Sequence, residues 1–291
     1  MLTSVDSVKS LIKVGHLPGQ PKCDLDGWLS NFRRDELPLA QHLASRYIYI
    51  SQAHGESMFL DAFHSLSSHI AKAATNADTI ATKWWDFLGR VVVSRVTGEN
   101  PNDTDSGYTF ARWARQLAGI PETRILRPEE VIAARYNNDF PLLLVDDFLG
   151  SGEQIIKHWK RKHQLSGQSL EDLFANSGGY GAYYCPLVAT SYGLQRARSC
   201  VGLNVIPVYT MGPEYSALQA DSRIWKNAFS QSQLDEFLNN TYARAAFSDP
   251  RFKGGFHNLG LTIGLWNNVP DASIQILWDE SLTWKPLMKR A

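Results

Sequence analysis

The chain has 291 residues, which is enough to bury a sizeable core in one large or two modest domains. Its 29 basic and 29 acidic residues balance, so no overall charge draws it to nucleic acid or to a membrane surface. Three scattered cysteines are too few for a disulfide framework or a zinc cluster, and no apolar run approaches the roughly 20 residues of a membrane span. Because the first residues also lack an apolar core of signal-peptide type, we expect a cytoplasmic protein without membrane contact.

The N-terminal part of the chain has the spacing of helices. Residues 1–24 predict a short helix and a linker, and apolar residues recur at helical intervals through residues 25–90. Three histidines of this region lack the HExxH spacing of a zinc site: His54, His64 and His69. Ordinary surface or core histidines are therefore the favoured interpretation. We predict an N-terminal helical region over residues 1–88.

Strand and helix signals alternate after this region. The β-branched run Arg90–Val96 predicts a strand, the polar segment Thr97–Gly107 a loop, and Phe110–Leu117 a helix. A second short strand is predicted at Arg124–Leu126. A helical stretch from Pro128 to Arg135 then leads to the apolar run that begins at residue 142.

The loop after the first strand ends at a helix N-terminus. There, unpaired backbone N–H groups and the positive end of the helix dipole favour an anion. Four residues of the loop lie in this position: Thr104, Asp105, Ser106 and Gly107. Asp105 equally fits a plain N-cap. Arg112 and Arg115, on the following helix, either face an anion or belong to a solvated helix face.

The chain is organised around residues 141–154, which read PLLLVDDFLGSGEQ. The apolar run is short and rich in Leu and Val, as in a strand buried on both faces of a parallel sheet. Asp146 and Asp147 end this strand at the carboxyl edge of the sheet, where open α/β sheets bind ligands. Gly150 and Gly152 then allow the backbone to approach an anion at the start of the next helix. The segment predicts a site for a phosphorylated sugar.

Three other interpretations fit parts of this segment. An apolar strand ending in two acids also resembles a Walker B segment, but the chain contains no G-x-x-x-x-G-K-[ST] motif. The Gly150-Ser151-Gly152 turn is a poor dinucleotide fingerprint, because position 155 is Ile and the acids precede the glycines. The remaining alternative is an ordinary strand–turn–helix corner in which the aspartates occupy capping positions.

The second half of the chain carries a basic run and further strand signals. Residues 157–163 (KHWKRKH) predict a solvated helix face or, alternatively, a nucleic-acid patch with Trp159 as a stacking platform. A fourth strand is predicted at Ala182–Ala189, where Pro186 disfavours a central position in the sheet. Further elements are predicted by pattern: a helix at Ser191–Ser199, a fifth strand at Val205–Thr210, helical structure over 216–246, a strand at Leu261–Trp266, and an apolar run at Ile274–Trp278.

Two sets of residues carry a resemblance to a known family. The central segment resembles the signature of the type I phosphoribosyltransferases: four apolar residues, two acids, and a loop closing on Thr/Ser-Gly. The C-terminal segments H-N-L-G, N-N-V-P-D-A, I-L-W and W-K-P-L resemble a phosphoribosyltransferase-like domain family of bacterial conflict (anti-phage defence) gene neighbourhoods. The resemblance extends over most of the chain. It implies an α/β fold: a twisted, mainly parallel sheet with flanking helices, an N-terminal helical region and a C-terminal α/β cap.

The resemblance also implies roles for individual residues. Asp146 and Asp147 would hold the ribose hydroxyls of phosphoribosyl pyrophosphate (PRPP) and serve as the catalytic residues. The loop that would hold its 5′-phosphate comprises Phe148, Leu149, Gly150, Ser151, Gly152, Glu153 and Gln154. The segment Thr104–Gly107 would meet the pyrophosphate, with Mg²⁺ as the expected cofactor. Tyr209 and Thr210, after a late strand, would line the base pocket.

The chain departs from the family pattern in two places. Where the family often carries a long mobile loop before the two acids, only a short, partly helical stretch is present. Where the family has small residues after Thr/Ser-Gly, this chain has Glu153 and Gln154. A carboxylate at the mouth of a phosphate site costs about 1 kcal/mol or more at close range. Alternatively, Glu153 favours the helix N-terminus and points outward.

We predict three regions: residues 1–88 as the helical region, residues 89–215 as the phosphoribosyltransferase-like core, and residues 216–291 as an extension packed on the core. Three functions fit this organisation. The first is a transferase or hydrolase acting at ribose C1 of PRPP or a phosphoribosyl nucleotide, as an effector in anti-phage defence with a partner protein from a defence operon. The second is a noncatalytic nucleotide sensor on the same fold. The third is an interaction module that binds protein or nucleic acid, and the sequence does not decide whether nucleic acid is a partner.

Overall fold

The structure of the protein is a computed structural model, which describes residues 4–72, 76–97, 107–164, 166–175 and 181–290. Its α-helices are α1 (Ser4–Lys13), α2 (Leu25–Leu29), α3 (Leu37–Ser45), α4 (Gln52–Ile70), α5 (Ala77–Arg90), α6 (Gly107–Gln116), α7 (Pro128–Asn137), α8 (Glu153–Lys160), α9 (Leu170–Phe174), α10 (Ser191–Ala197) and α11 (Gln231–Ala245). Its strands are β1 (Ile48–Ile50), β2 (Val92–Arg95), β3 (Leu142–Leu149), β4 (Ala182–Thr190), β5 (Leu203–Val205), β6 (Tyr209–Met211) and β7 (Ile263–Leu265). Short 3₁₀ turns lie at Glu122–Arg124, Pro213–Tyr215, Pro250–Phe252, Phe256–Asn258 and Gln275–Leu277.

These elements form two units. One unit comprises Met1–Gln52 and Met211–Ala291, and the other comprises Ala53–Thr210. The three-region division predicted from the sequence stays a prediction. No helix among the described residues is long and apolar enough to cross a membrane.

A parallel sheet organises the unit Ala53–Thr210. Its strands run in the order β2-β3-β4-β5, and β6 pairs with β4. Neighbouring strands along this order are parallel, with Arg95 opposite Val145 and Asp146 opposite Pro186. Because residues 142–145 are buried, β3 is covered on both faces, as its uninterrupted apolar run predicts. The α/β fold class expected from the sequence is confirmed.

Aromatic side chains cover the two faces of this sheet. On one face, Trp159 of α8 and Phe174 of α9 pack with Leu144 and Tyr184 in one hydrophobic cluster. The opposite layer holds other aromatic contacts, among them Phe59–Phe110, Phe59–Trp113, Phe63–Trp84 and Phe87–Tyr183. Tyr183 and Tyr184 point to opposite faces because side chains alternate along a strand. The sheet therefore lies between two helical layers.

The other unit has its own core. The rings of Trp28 and Phe32 are 4.7 Å apart, and Phe32 also packs on Phe237 at 5.6 Å and on Trp284 at 5.2 Å. Trp28 donates its indole N–H to the carbonyl of Ile276 at 2.8 Å. This core joins segments from both ends of the chain, which are far apart in sequence.

Several local predictions were wrong where distant pairing decided the structure. Residues Ile48–Ile50 form a strand within the region predicted to be helical, because they pair in parallel with Ile263–Leu265. The predicted strand at Arg124–Leu126 is a 3₁₀ turn followed by a single bridge between Ile125 and Val93. Only Gln231–Ala245 is α-helical within the stretch 216–246. The predicted fifth strand is divided into β5 and β6, and the C-terminal apolar run forms a 3₁₀ turn.

The prediction for Pro186 was also wrong, because β4 lies between β3 and β5. The carbonyls of Tyr184 and Pro186 accept hydrogen bonds from the N–H groups of Ile206 and Val208. Since alternate residues of a parallel strand bond to the same neighbour, the missing N–H of Pro186 faces this side too. The pairing with β5 ends at Tyr184 and Val205, so Pro186 lies beyond the paired residues of that strand.

Candidate functional site

The central strand turns into α8 as the sequence predicts. β3 ends at Leu149, and α8 begins at Glu153. Gly152 occupies the helix N-cap with φ +80°, a left-handed conformation that glycine adopts without steric cost. The loop Gly150–Gly152 therefore brings its backbone to a helix N-terminus, where N–H groups lack helical partners.

Helix α10 packs directly against this loop. The hydroxyl of Thr190 donates to the carbonyl of Gly150 at 2.6 Å and accepts the N–H of Gly193 at 2.9 Å. A Cβ at Gly193 would overlap the carbonyl oxygen of Gly150 and lie 2.9 Å from its carbonyl carbon. Only a glycine at this position allows α10 to approach the loop so closely. Contacts with the end of β4 and with α10 therefore fix the shape of the loop, in addition to its connection to β3.

Arg196 changes the electrostatics that Glu153 creates at this loop. Its guanidinium donates to the carbonyl of Ser151 at 2.7 Å and lies 3.6 Å from the Glu153 carboxylate. Both side chains are about one-third exposed, at 34% each. An arginine beside the carboxylate offsets the repulsion expected between Glu153 and an anion. The rim of the loop therefore carries one positive and one negative side chain, held as a pair.

Asp146 is a buried acid whose carboxyl oxygens accept two hydrogen bonds. Tyr184 donates its hydroxyl to Oδ2 at 3.1 Å, and the N–H of Asp147 donates to Oδ1 at 2.9 Å. Its exposure is only 6%. Burial raises the pKa of Asp146 well above its ordinary value, and the neighbouring Asp147 carboxyl raises it further, against the opposing hydrogen bond from Tyr184. Asp146 is therefore poised to carry a proton rather than a charge.

The two predicted acids occupy different environments. Asp147 is half-buried, and its side chain lies in contact with the carboxyl of Asp146. Phe148 is also half-buried, whereas Leu149 is buried in the core. Gln154 is exposed at the start of α8. Asp147 is thus the more accessible carboxylate of the pair.

Other predicted residues stand apart from this loop or outside the described residues. Gly107 is the first residue of α6. Thr104, Asp105 and Ser106 lie outside the described residues. Tyr209 and Thr210 are exposed on β6. The structure brings together Asp146 through Gln154, and the predicted pyrophosphate and base positions stay predictions.

Four residues next to the loop were missed by sequence reasoning: Tyr184, Thr190, Gly193 and Arg196. One sequence feature could have indicated them: the predicted fourth strand runs directly into a helix, as β4 runs into α10. In a parallel sheet, the end of this strand lies beside the end of β3. Their contacts depend on strand order, which the local pattern does not contain.

The basic run does not supply a stacking platform. Trp159 is fully buried and donates its indole N–H to the carbonyl of Val201 at 2.9 Å, so it cannot stack on a base. His158 is buried as well, and its Nδ1 accepts the N–H of Thr97 at 3.3 Å. Burial lowers the pKa of His158 to about 3, so the ring is neutral. These two side chains belong to the core.

Metal ligands are sparse in this part of the fold. Among the described residues, no group of three His, Cys, Asp or Glu side chains could hold a metal ion. Mg²⁺ is often held by one or two carboxylates together with the phosphates of a ligand. Half-buried Asp147, beside a loop that ends at a helix N-terminus, fits that mode of binding.

Comparison with known proteins gives one result. No curated protein matches the chain. The family PRTase-CE matches residues 25–290, which is most of the chain and includes the strand, loop and helix described above. The chain therefore belongs to the PRTase-CE family, a phosphoribosyltransferase-like family.

Proposed function

We propose that this protein binds a phosphoribosyl ligand, either PRPP or a phosphoribosyl nucleotide, at the carboxyl end of β3. The observation that carries the proposal is the loop Gly150–Gly152, shaped by α10 and followed at once by a helix N-terminus. The backbone N–H groups of residues 150–154 would bind the 5′-phosphate. Arg196, at the rim, would attract the anion.

The two aspartates would have different roles. Asp147, which is half-buried, would accept hydrogen bonds from the ribose hydroxyls. Asp146, which is buried and hydrogen-bonded to Tyr184, would orient the end of the strand and hold a proton next to Asp147. Leu149 would contribute backbone only, since its side chain is buried in the core, whereas Phe148 is half-buried. This assignment makes Asp147 the residue whose loss should affect binding most.

The proposed reaction is substitution at ribose C1. A nitrogen nucleophile or water forms a bond to C1 while the bond from C1 to the leaving atom breaks; this atom is the pyrophosphate oxygen of PRPP or the base nitrogen of a nucleotide. The leaving group takes the electron pair, and the proton of the nucleophile passes to solvent water. Positive charge grows on the ring and negative charge on the leaving group. Mg²⁺ would stabilise the second charge, and Asp147 is a carboxylate that could help to hold it. The protein would contribute positioning and electrostatic stabilisation.

A second function is favoured by one specific observation. Glu153 stands at the mouth of the loop and pairs with Arg196 at 3.6 Å. If this pair persists when the ligand binds, the loop holds a nucleotide without the strong positive field that a departing pyrophosphate needs. The protein would then be a noncatalytic nucleotide sensor. In either case, a role as an effector in bacterial anti-phage defence, with a partner protein, is the biological context that we propose from the resemblance.

Calorimetric titration with PRPP and Mg²⁺ tests the proposal. The comparison is between the wild type, Asp147→Asn, and Asp61→Asn as a control that removes an exposed carboxylate from α4 in the same unit. We expect binding by the wild type and the control, and a loss of at least about tenfold in affinity for Asp147→Asn. Equal affinity in all three proteins contradicts the proposed site. Release of pyrophosphate on incubation separates the transferase or hydrolase from the sensor.

A further inference from the structure

A concave surface of the unit Met1–Gln52 and Met211–Ala291 brings two arginines together. The arginine pocket, as we name it, has a volume of about 280 Å³ and lies between the C-terminal end of α3, the start of β1 and the segment 215–224. Two exposed and three half-buried side chains line it: Arg46, Arg223, Ser45, Ile48 and Tyr215. Among the described residues, none that lines the pocket is acidic. The pocket is therefore positive in a chain whose net charge is zero.

The guanidinium groups of Arg46 and Arg223 are available to a ligand. Within the described part of the chain, neither group has an ion pair or a hydrogen bond. Glu214 and Asp221, which are close to Arg223 in sequence, are exposed and do not line the pocket. Three other arginines of this unit are each paired with an acid: Arg244 with Glu36, Arg251 with Asp249, and Arg290 with Asp271. The two arginines of the pocket thus differ from these in having no counter-ion among the described residues.

The surrounding structure holds both arginines in place. The carbonyl of Arg46 accepts a hydrogen bond from the hydroxyl of Thr262 at 3.2 Å. The N–H of Arg223 donates to the carbonyl of Glu214 at 2.7 Å. The guanidinium of Arg223 lies over the ring of Tyr215, 5.4 Å from its centroid. Because this contact restricts the side chain before a ligand arrives, less conformational freedom is lost on binding.

The helix dipole accounts for only one of the two arginines. Arg46 is the C-cap of α3, where a cation interacts favourably with the negative end of the helix. Arg223 lies in a turn, so no helix dipole favours its charge. Two like charges that line one small pocket repel each other. An anion that contacts both guanidinium groups would relieve this repulsion.

The arrangement suits a phosphate group better than a carboxylate. A single guanidinium can bind both oxygens of a carboxylate, which leaves the second arginine without a partner. A phosphate group has three terminal oxygens and up to two negative charges, so it can accept hydrogen bonds from both arginines at once. Nucleic acid would need an extended basic surface, and two cations in a chain of balanced charge do not supply one.

We propose that the arginine pocket binds the phosphate group of a small molecule. Arg46 and Arg223 donate hydrogen bonds to the phosphate oxygens, and the carbon part of the molecule packs on the half-buried side chains of Ile48 and Tyr215. A phosphate ester should therefore bind more tightly than inorganic phosphate. The pocket belongs to a different unit from β3, and the proposal does not rest on the function proposed there.

Arginine-specific labelling with phenylglyoxal, measured by mass spectrometry of peptides, tests each residue separately. The full chain is labelled in chloride, acetate, inorganic phosphate, phenyl phosphate or a phosphoserine peptide, at equal ionic strength. Arg33 and Arg34 are the internal controls, because they are exposed in the same unit and do not line the pocket. For a dissociation constant on the order of 1 mM, phenyl phosphate at about ten times that concentration should slow labelling of Arg46 and Arg223 by about tenfold. Labelling of the controls should not change, acetate should protect neither pair, and inorganic phosphate should protect more weakly than phenyl phosphate.

Calorimetric titration with phenyl phosphate provides a second measurement. The key variant is Arg46→Gln/Arg223→Gln, and its matched control is Arg33→Gln/Arg34→Gln. We expect the key variant to bind at least about tenfold more weakly than the wild type and the control. The labelling experiment uses the wild type, so it decides the matter even if the double variant unfolds.

Other outcomes overturn the proposal or a part of it. Labelling of Arg46 and Arg223 that phosphate does not slow, or that slows no more than labelling of Arg33 and Arg34, removes the site. Equal protection by acetate removes the preference for phosphate. Equal protection by inorganic phosphate and phenyl phosphate removes the contact with the carbon part of the ligand. Much stronger protection by the phosphoserine peptide identifies a phosphorylated protein as the partner and overturns the small molecule.

Discussion

The close approach of α10 to the loop makes Gly193 a sensitive position. Substitution by alanine adds a Cβ that would overlap the carbonyl oxygen of Gly150, lie 2.9 Å from its carbonyl carbon, and lie 3.2 Å from the nitrogen of Gly152. These atoms are all backbone, so no flexible side chain can move aside. Either the loop or the first turn of α10 must shift, and the hydrogen bonds that Thr190 makes to both would lengthen.

Two opposing effects determine how much Gly193→Ala changes the free energy of unfolding. Overpacking a tight contact costs about 1–3 kcal/mol. Alanine is favoured over glycine within a helix by about 1 kcal/mol. Because the new contacts are with backbone, we expect the cost at the upper end and a net loss of about 2 kcal/mol in the free energy of unfolding. Affinity for PRPP should fall as well, since the loop N–H groups would move.

Gly89→Ala is the matched control. Gly89 lies within α5 of the same unit, and no described atom outside the helix is within 4 Å of the Cβ that alanine would add. The same substitution should therefore stabilise the protein, by up to about 1 kcal/mol. Urea denaturation of both variants measures the difference. A Gly193→Ala protein as stable as Gly89→Ala, with unchanged ligand affinity, would refute the close packing of α10 on the loop.

Two further predictions concern pH, and chemical denaturation across a pH series measures both. The pKa of Asp146 is raised in the folded protein, so the contribution of this carboxyl to the free energy of unfolding is present at low pH and is lost as pH rises. The variant Asp146→Asn should not show this loss. It should therefore be more stable than the wild type at neutral pH. A wild type that is the more stable of the two at neutral pH would contradict the burial argument. The pKa of His158 is lowered from 6.5 to about 3, so its contribution is complete above pH 6.5 and is lost as pH falls. Between pH 6.5 and about 4.5 the wild type should lose roughly 2 kcal/mol more than His158→Gln, and parallel curves would count against a neutral buried ring.

Local patterns predicted the central strand and the turn that follows it. The apolar run before Asp146 indicates a doubly covered parallel strand, and β3 is buried in this way. Gly152 marks a turn that needs a left-handed residue, and its φ is +80°. Both features depend on neighbours within a few residues. For that reason they can be read along the chain without knowledge of the fold.

Strand order and long-range pairing decided the features that local patterns missed. Ile48–Ile50 becomes a strand only because Ile263–Leu265 lies beside it, and Pro186 is tolerated in a central strand because the pairing with β5 ends before it. Periodicity records which side chains share a face, and it does not record which distant segment meets that face.

The sequence by itself determined the chemistry of the segment at β3: an apolar strand, two adjacent acids, and a glycine turn into a helix. The tertiary structure decided how that chemistry is arranged. It buried Asp146 against Tyr184, left Asp147 accessible, and set Arg196 beside Glu153. The physical reason is that burial and charge pairing depend on distances across strands, and residues 38 or more positions apart come together only when the sheet forms.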